Sequence, residues 1–197
     1  MPRSLYKRID LPQPSGIQDV FRHLANDPER TTVIAGEIEN SCSQGRKVLV
    51  LTERTEHLDA IVSALAGTVA SPFVLHGRMS KKQRAALITA LGALPPDAPR
   101  VLLATGKLVG EGFDHPPRDT LVQAMPISWK GTLQQYAGRL HREHATKTNV
   151  RIIDFVDHGH PALVRMWEKR QRGYRAMGYR VGAGHVLELD AIHSEQT

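Results

Sequence analysis

A chain of 197 residues with 41% apolar content can bury a proper core, so disorder is excluded as the default and one domain with short appendages is expected. No run approaches the roughly 18 apolar residues of a membrane span, and the opening MPRSLYKRIDLPQPSG lacks a signal peptide's apolar stretch, so the expectation is a cytoplasmic protein with no membrane partner. The net charge of +6 is compatible with a polyanionic partner without requiring one, and the single Cys42 can form no internal disulfide and has no spaced partner for zinc.

Residues 1–45 form a first zone: a Pro-containing start, a helix with Ile17, Val20, Phe21 and Leu24 on one face, and a second helical stretch around Ile34 and Ile38. It is expected to flank and pack on the domain that follows. From Lys47 onward, short runs rich in Val, Leu and Ile alternate with helical patterns, which is the signature of a parallel sheet built from strand–helix–strand units. The predicted strands are KVLVLT (47–52), FVLH (73–76), RVLLAT (100–105), TLVQAM (120–125) and VRIIDFV (150–156). Leu58, Ile61, Val62 and Leu65 give the first intervening helix its apolar face, with Thr55 as the expected N-cap and Gly67 as its end. Ser80 to Gln83 fits a capping box, followed by Leu87, Ile88 and Leu91 on one face. Strands this apolar are covered on both sides, so residues 46–160 are read as a three-layer α/β domain with a mostly parallel central sheet flanked by helices. Residues 161–197 are read as a C-terminal helix and tail. Pro161 opens the helix, Leu163, Met166, Trp167, Tyr174 and Met177 form its apolar stripe, Gly173 is expected to cut it short, and the last dozen residues are expected to be loose.

Two segments carry candidate chemistry. In LQQYAGRLHRE, Leu133, Tyr136, Ala137 and Leu140 repeat at helical spacing and define a buried face. Gln135, Gly138, Arg139 and Arg142 repeat the same spacing two positions later, nearly opposite on the cylinder. One face is anchored and the other presents two guanidiniums, whose planar forks suit phosphate; the spacing alone also fits solvated arginines, and Thr132 with Gln135 also fits a capping box. The run LLATGKLVGEGFDHPP leaves a strand and becomes Gly-rich at Gly106, Gly110 and Gly112, which is where ligands of open α/β sheets bind. It is not a Walker motif, because Leu108 follows Lys107 and no Gly stands at the earlier spacing. Asp154, Asp157, His158 and His160 cluster at a strand end without a metal-ligand pattern, so capping of the next element is expected there and no metal site.

QxxGRxxR, placed after this Gly-rich loop, resembles motif VI of superfamily-two helicases, and the loop resembles motif V. VLTERTEHL (50–58) and HGRMSKKQR (76–84) resemble motif IV and the segment after it. The four occur in family order over residues 45–157. The resemblance implies the C-terminal RecA-like lobe of a DEAD/DEAH-related enzyme, with residues 1–45 leading from a first lobe. It implies arginine fingers at Arg139 and Arg142, nucleotide contacts at Gly112, Asp114, Gln135 and Gly138, and nucleic-acid backbone contacts at Arg54, His76, Arg78, Thr105, Gly106 and Lys107. Glu111 stands where DEAD-box proteins have Arg; EGFD is more similar to the type III restriction subunit and excision-repair branch, which favours DNA over RNA. No GxxxxGK[ST], DEAD or DExH sequence occurs in the chain, so ATP with Mg²⁺ is expected to bind mainly to an absent N-terminal lobe, and the isolated chain is expected to be inactive. A second reading keeps the fold as a non-catalytic nucleic-acid or protein-binding module.

Overall fold

The computed structural model describes residues 7–8, 15–105, 119–127, 149–181 and 186–190. In chain order these form β1 (Lys7–Arg8), α1 (Ile17–Asn26), α2 (Pro28–Ser43), β2 (Lys47–Thr52), α3 (Thr55–Ala64), β3 (Phe73–Leu75), α4 (Lys81–Gly92), β4 (Arg100–Thr105), β5 (Thr120–Gln123), β6 (Asn149–Asp154), β7 (Asp157–His158), α5 (Pro161–Ala176), β8 (Arg180–Val181) and β9 (Val186–Asp190). Seven strands make one sheet in the order β3-β4-β2-β5-β6-β9-β8. The first five run parallel, so their carboxyl ends share one edge; β9 joins β6 antiparallel, and β8 joins β9.

Alternation along the strands sends side chains to two cores. Val48, Val50, Val101, Leu103, Val122 and Ile153 meet Ile34 and Ile38 of α2 and Leu58 and Ile61 of α3. On the opposite face Leu49, Leu51, Leu102, Leu121 and Ile152 meet Leu91 of α4 and Tyr174 of α5. This is the three-layer α/β arrangement, with both faces of a β-branched, aliphatic sheet removed from water. Ile34 and Ile38 are fully buried in the same core as β2, and truncating either to Ala leaves a cavity costing about 2–5 kcal/mol. A third cluster joins Val20, Leu24 and Ala25 of α1 to Met125, just past β5, and to Leu163 of α5. The N-terminal helices thus pack against both the sheet and the C-terminal helix.

Local signals explain most boundaries. Asp27 caps α2 by accepting from the backbone N–H groups of Glu29 and Arg30, with Pro28 in the first turn. Ser80 and Gln83 form the reciprocal capping box of α4. Gly67 takes φ +86 in the turn after α3, a conformation that strains any residue with a Cβ.

Four details differ from the sequence expectations. Arg54, not Thr55, occupies the N-cap of α3, and Thr55 is already helical. On α4 Leu91 is buried and Leu87 partly so, whereas Ile88 is 41% exposed, because its position is turned about 100° from Leu87. Gly173 does not end α5: it lies on the buried side with Leu163, Arg170 and Tyr174, and the helix runs on to Ala176. The final dozen residues are not wholly loose, since Val186–Asp190 pairs with β6, closing an edge whose backbone groups would otherwise be unpaired.

Candidate functional site

The carboxyl edge of the parallel strands gathers the sequence-predicted polar residues that fall within the described part of the chain. Thr52 and Thr105 stand opposite each other at the ends of β2 and β4. Arg54 follows β2, and His76 and Arg78 follow β3, whose last residue pairs with Ala104. The turn after β3 is tied to the start of α3: Arg78 Nη2 donates to Thr55 Oγ1 at 3.0 Å, and the Arg78 backbone N–H donates to His76 Nδ1 at 3.3 Å. Arg54 Nη2 donates to the side-chain oxygen of Gln18 at 3.2 Å and to its carbonyl at 3.4 Å. Neutral, solvent-side acceptors hold both guanidiniums, so their charges stay available to an anion. Arg54, His76, Arg78 and Thr105 are therefore brought to one edge. Gly106, Lys107, Gly112, Asp114, Gln135, Gly138, Arg139 and Arg142 lie outside the described residues; the segment carrying the first four leaves from Thr105.

Behind this edge lies a histidine that the sequence reading passed over. His57 is fully buried on α3, and its Nδ1 is 3.0 Å from Thr52 Oγ1. Burial, reinforced by the charge of Arg30, pushes its pKa down to about 3, so the ring is neutral near pH 7. Its Nε2 has no hydrogen-bond partner among the described residues.

The ends of β5 and β6 are built differently. Arg30 of α2 reaches Asp157 bidentately, Nε at 3.0 Å and Nη2 at 3.2 Å, and its Nη1 donates to the Ala124 carbonyl at 2.7 Å. From the other face Arg170 of α5 reaches Asp154 bidentately at 2.7 and 3.1 Å, and its Nη1 donates to the Ile127 carbonyl at 3.3 Å. Tyr174 adds a hydroxyl donor to Asp154 at 2.8 Å. Phe155 and Trp167 lie 5.7 and 5.6 Å from the guanidinium carbons of Arg30 and Arg170, within cation–π range. Burial opposes the charge of Arg170, but Asp154, Tyr174 and Asp157 together outweigh it and the pKa is raised; burial and Asp154 together hold the Tyr174 hydroxyl protonated.

These contacts account for the acidic and histidine cluster at the strand end. Asp154 and Asp157 are committed to arginines, and His160 Nδ1 accepts from the Ala162 N–H at 3.2 Å, capping α5. Among the described residues no group of three or more His, Cys, Asp or Glu side chains could hold a metal ion, and no helix is long and apolar enough to cross a membrane. The described donor set at this edge therefore does not fit Mg²⁺.

Comparison with known proteins places this arrangement. The family described as helicase conserved C-terminal domain matches residues 29–144, more than half of the chain. An uncharacterized protein, 108L, of Invertebrate iridescent virus 3 is 37% identical over 83 residues, covering 42% of this chain and 74% of its own. The probable helicase D10 of Escherichia phage T5 is 24% identical over 180 residues, covering 91% of this chain and 38% of its own. Among solved structures, T4 UvsW superimposes with a TM-score of 0.65 at 16% identity, over 83% of this chain and 36% of that one. The C-terminal domain of the DEAD-box protein Dbp5 gives 0.57 at 16% identity, over 76% of this chain and 81% of that one. The chain thus spans little more than a third of the phage helicase and of UvsW, but most of an isolated C-terminal lobe.

Proposed function

Because the chain belongs to the helicase conserved C-terminal domain family, the C-terminal lobe of superfamily-two helicases, we propose that it is the second motor lobe of an ATP-dependent helicase or translocase. The observation that carries this reading is the placement of Arg54, His76, Arg78 and Thr105 at one carboxyl edge of the sheet, with the Gly106–Asp114 segment following directly from Thr105. That edge is where open α/β sheets take ligands, and its cations suit a phosphate backbone read without sequence code.

In this reading Arg54, His76, Arg78, Thr105, Gly106 and Lys107 grip one nucleic-acid strand. Gly112, Asp114, Gln135 and Gly138 contact the nucleotide, Asp114 near the ribose. Arg139 and Arg142 reach the γ-phosphate of an ATP held by a first lobe, stabilising the charge that spreads over the phosphoryl oxygens as water displaces ADP, an effect worth roughly 10³ to 10⁵ in rate. Mg²⁺, bound by that first lobe, would neutralise phosphate charge; Asp154 and Asp157 here are already paired. Closure of the two lobes on ATP and reopening after hydrolysis shift the gripped strand. Glu111 in place of Arg favours DNA as the partner, and without the other lobe this chain does not turn over ATP.

The test is ATP turnover by the complete gene product with single- and double-stranded DNA and RNA, beside the 197-residue chain alone. Nucleic-acid-stimulated turnover by the complete protein and none by the isolated chain is expected. A complete protein without stimulated turnover would mean a binding module that has lost the motor.

A further inference from the structure

The helix α5 carries a second concentration of positive charge, beyond the one at the ends of β2 and β3. It holds five cations, Arg165, Lys169, Arg170, Arg172 and Arg175, against one acid, Glu168. Arg170 lies on the buried side with Leu163 and Tyr174 and is matched by Asp154. The other four are exposed, and none makes a hydrogen bond or ion pair within the described residues. At about 100° per residue they fall within an arc of about 120° opposite the buried side, and from Arg165 to Arg175 they span about 15 Å. Such a stripe works against its own helix. Arg165 and Lys169, Lys169 and Arg172, and Arg172 and Arg175 stand four, three and three residues apart, the spacings at which like charges repel on a helix surface. On α1 the same spacing pairs opposite charges, Arg22 with Asp19 at 2.9 Å. Glu168 stands three and four residues from Arg165 and Arg172, yet pairs with neither. The repulsion is offset when a polyanion lies along the stripe.

We propose that the outer face of α5 binds the sugar–phosphate backbone of a nucleic-acid duplex, beside the strand gripped at the carboxyl edge. Over about 15 Å of its axis each strand of a duplex carries about four phosphates, as many as the stripe has cations. Binding of a single strand draws on exposed aromatic rings on which bases stack. The two rings of α5 are taken up by the fold instead: Tyr174 is buried, and Trp167 packs on the core beside Arg170. Charge without a stacking platform suits a duplex, whose bases are already stacked. The stripe also starts in the right place. Leu163, two residues before Arg165, packs with Val20 and Leu24 of α1 and with Met125 just past β5, at the carboxyl end of the sheet, and Gln18 of α1 holds Arg54 there. α5 begins at Pro161, beyond the residues 29–144 that match the family, so this contact adds to what the family shares. The proposal rests on the reading of the carboxyl edge as a strand grip only in taking nucleic acid as the partner.

The test measures fluorescence anisotropy with the complete gene product and three probes, a blunt duplex, a single strand and polyglutamate, over a series of salt concentrations. One variant combines Arg165→Gln, Lys169→Gln, Arg172→Gln and Arg175→Gln; Gln is about as good a helix former as Arg or Lys, so far-UV circular dichroism should show the fold intact. A second, Arg165→Lys with Arg172→Lys and Arg175→Lys, keeps the charge. In about 0.1 M salt the glutamine variant is expected to bind the duplex about tenfold or more weakly, with the slope of log K against log salt smaller by about three to four. Its affinity for the single strand should stay within about twofold of wild type, and the lysine variant should behave as wild type. Duplex affinity and salt slope unchanged in the glutamine variant overturn the duplex face. Polyglutamate bound by wild type as tightly as the duplex, and lost to the same extent in the glutamine variant, overturns a duplex as the partner. The strand grip fails separately, if Arg54→Ala with Arg78→Ala leaves single-strand affinity unchanged. Wild type that binds neither nucleic acid overturns the grip and the duplex face together.

Discussion

The carboxyl edge carries two pairs of arginines with opposite fates. Arg54 and Arg78 hold neutral acceptors, Gln18 and Thr55, at the solvent side, whereas Arg30 and Arg170 are about 2% and 1% exposed and lie bidentate against Asp157 and Asp154. The same side chain thus does two jobs within one edge. Burial makes the difference: a charge in the low-dielectric interior must be matched by a carboxylate and then becomes fixed, while one at the surface keeps its hydration and can exchange it for a phosphate. The ends of β2, β3 and β4 are therefore suited to binding, and the ends of β5 and β6 to holding geometry.

Substitutions can break this contrast at its strongest point first. Arg170→Ala strands Asp154 in the interior with Tyr174 as its one remaining side-chain donor among the described residues, and urea denaturation is expected to show a loss of about 3–5 kcal/mol. Acid should act next, through His57, which is buried on α3, bonded to Thr52 and sensing Arg30. Its folded pKa of about 3 lies below the ordinary 6.5, so between those values the unfolded chain binds the extra proton. The contribution of His57 is complete above pH 6.5 and shrinks by about 1.4 kcal/mol per pH unit as pH falls towards 3. Wild type and His57→Gln, unfolded in urea across that range, should differ by this slope; parallel curves would show that His57 is not the source. The smallest effect on stability belongs to Arg54→Ala and Arg78→Ala, within about 0.5 kcal/mol. Each should nonetheless weaken nucleic-acid binding and reduce the slope of log K against log salt by about one, which a titration series in salt measures directly.

Much of the fold was legible because near-continuous Val and Leu runs can only be doubly covered strands: KVLVLT and RVLLAT match β2 and β4 residue for residue. Ser80, Gln83 and Pro161 announced helix starts through their local chemistry. β9 was hidden because five residues near the end of a polar tail acquire strand character only by pairing with β6. Arg30 and Arg170 were hidden because an arginine in a helix ordinarily reads as solvated. A signal was present: Arg30 stands four and eight residues before Ile34 and Ile38, and Arg170 stands seven after Leu163 and four before Tyr174, each on its helix's apolar stripe. An arginine on such a stripe needs a buried carboxylate, and Asp154 and Asp157 were the candidates. Of the candidate site, the edge formed by Arg54, His76, Arg78 and Thr105 followed from motif order, because residues just past parallel strands must share one end of the sheet.

The most direct measurement is ATP hydrolysis and ATP binding by the complete two-lobe protein with Arg139→Ala and, separately, Arg142→Ala. Hydrolysis abolished in both, with ATP affinity largely unchanged, is the predicted result. Turnover retained in either variant would contradict the assignment of that residue as an arginine finger.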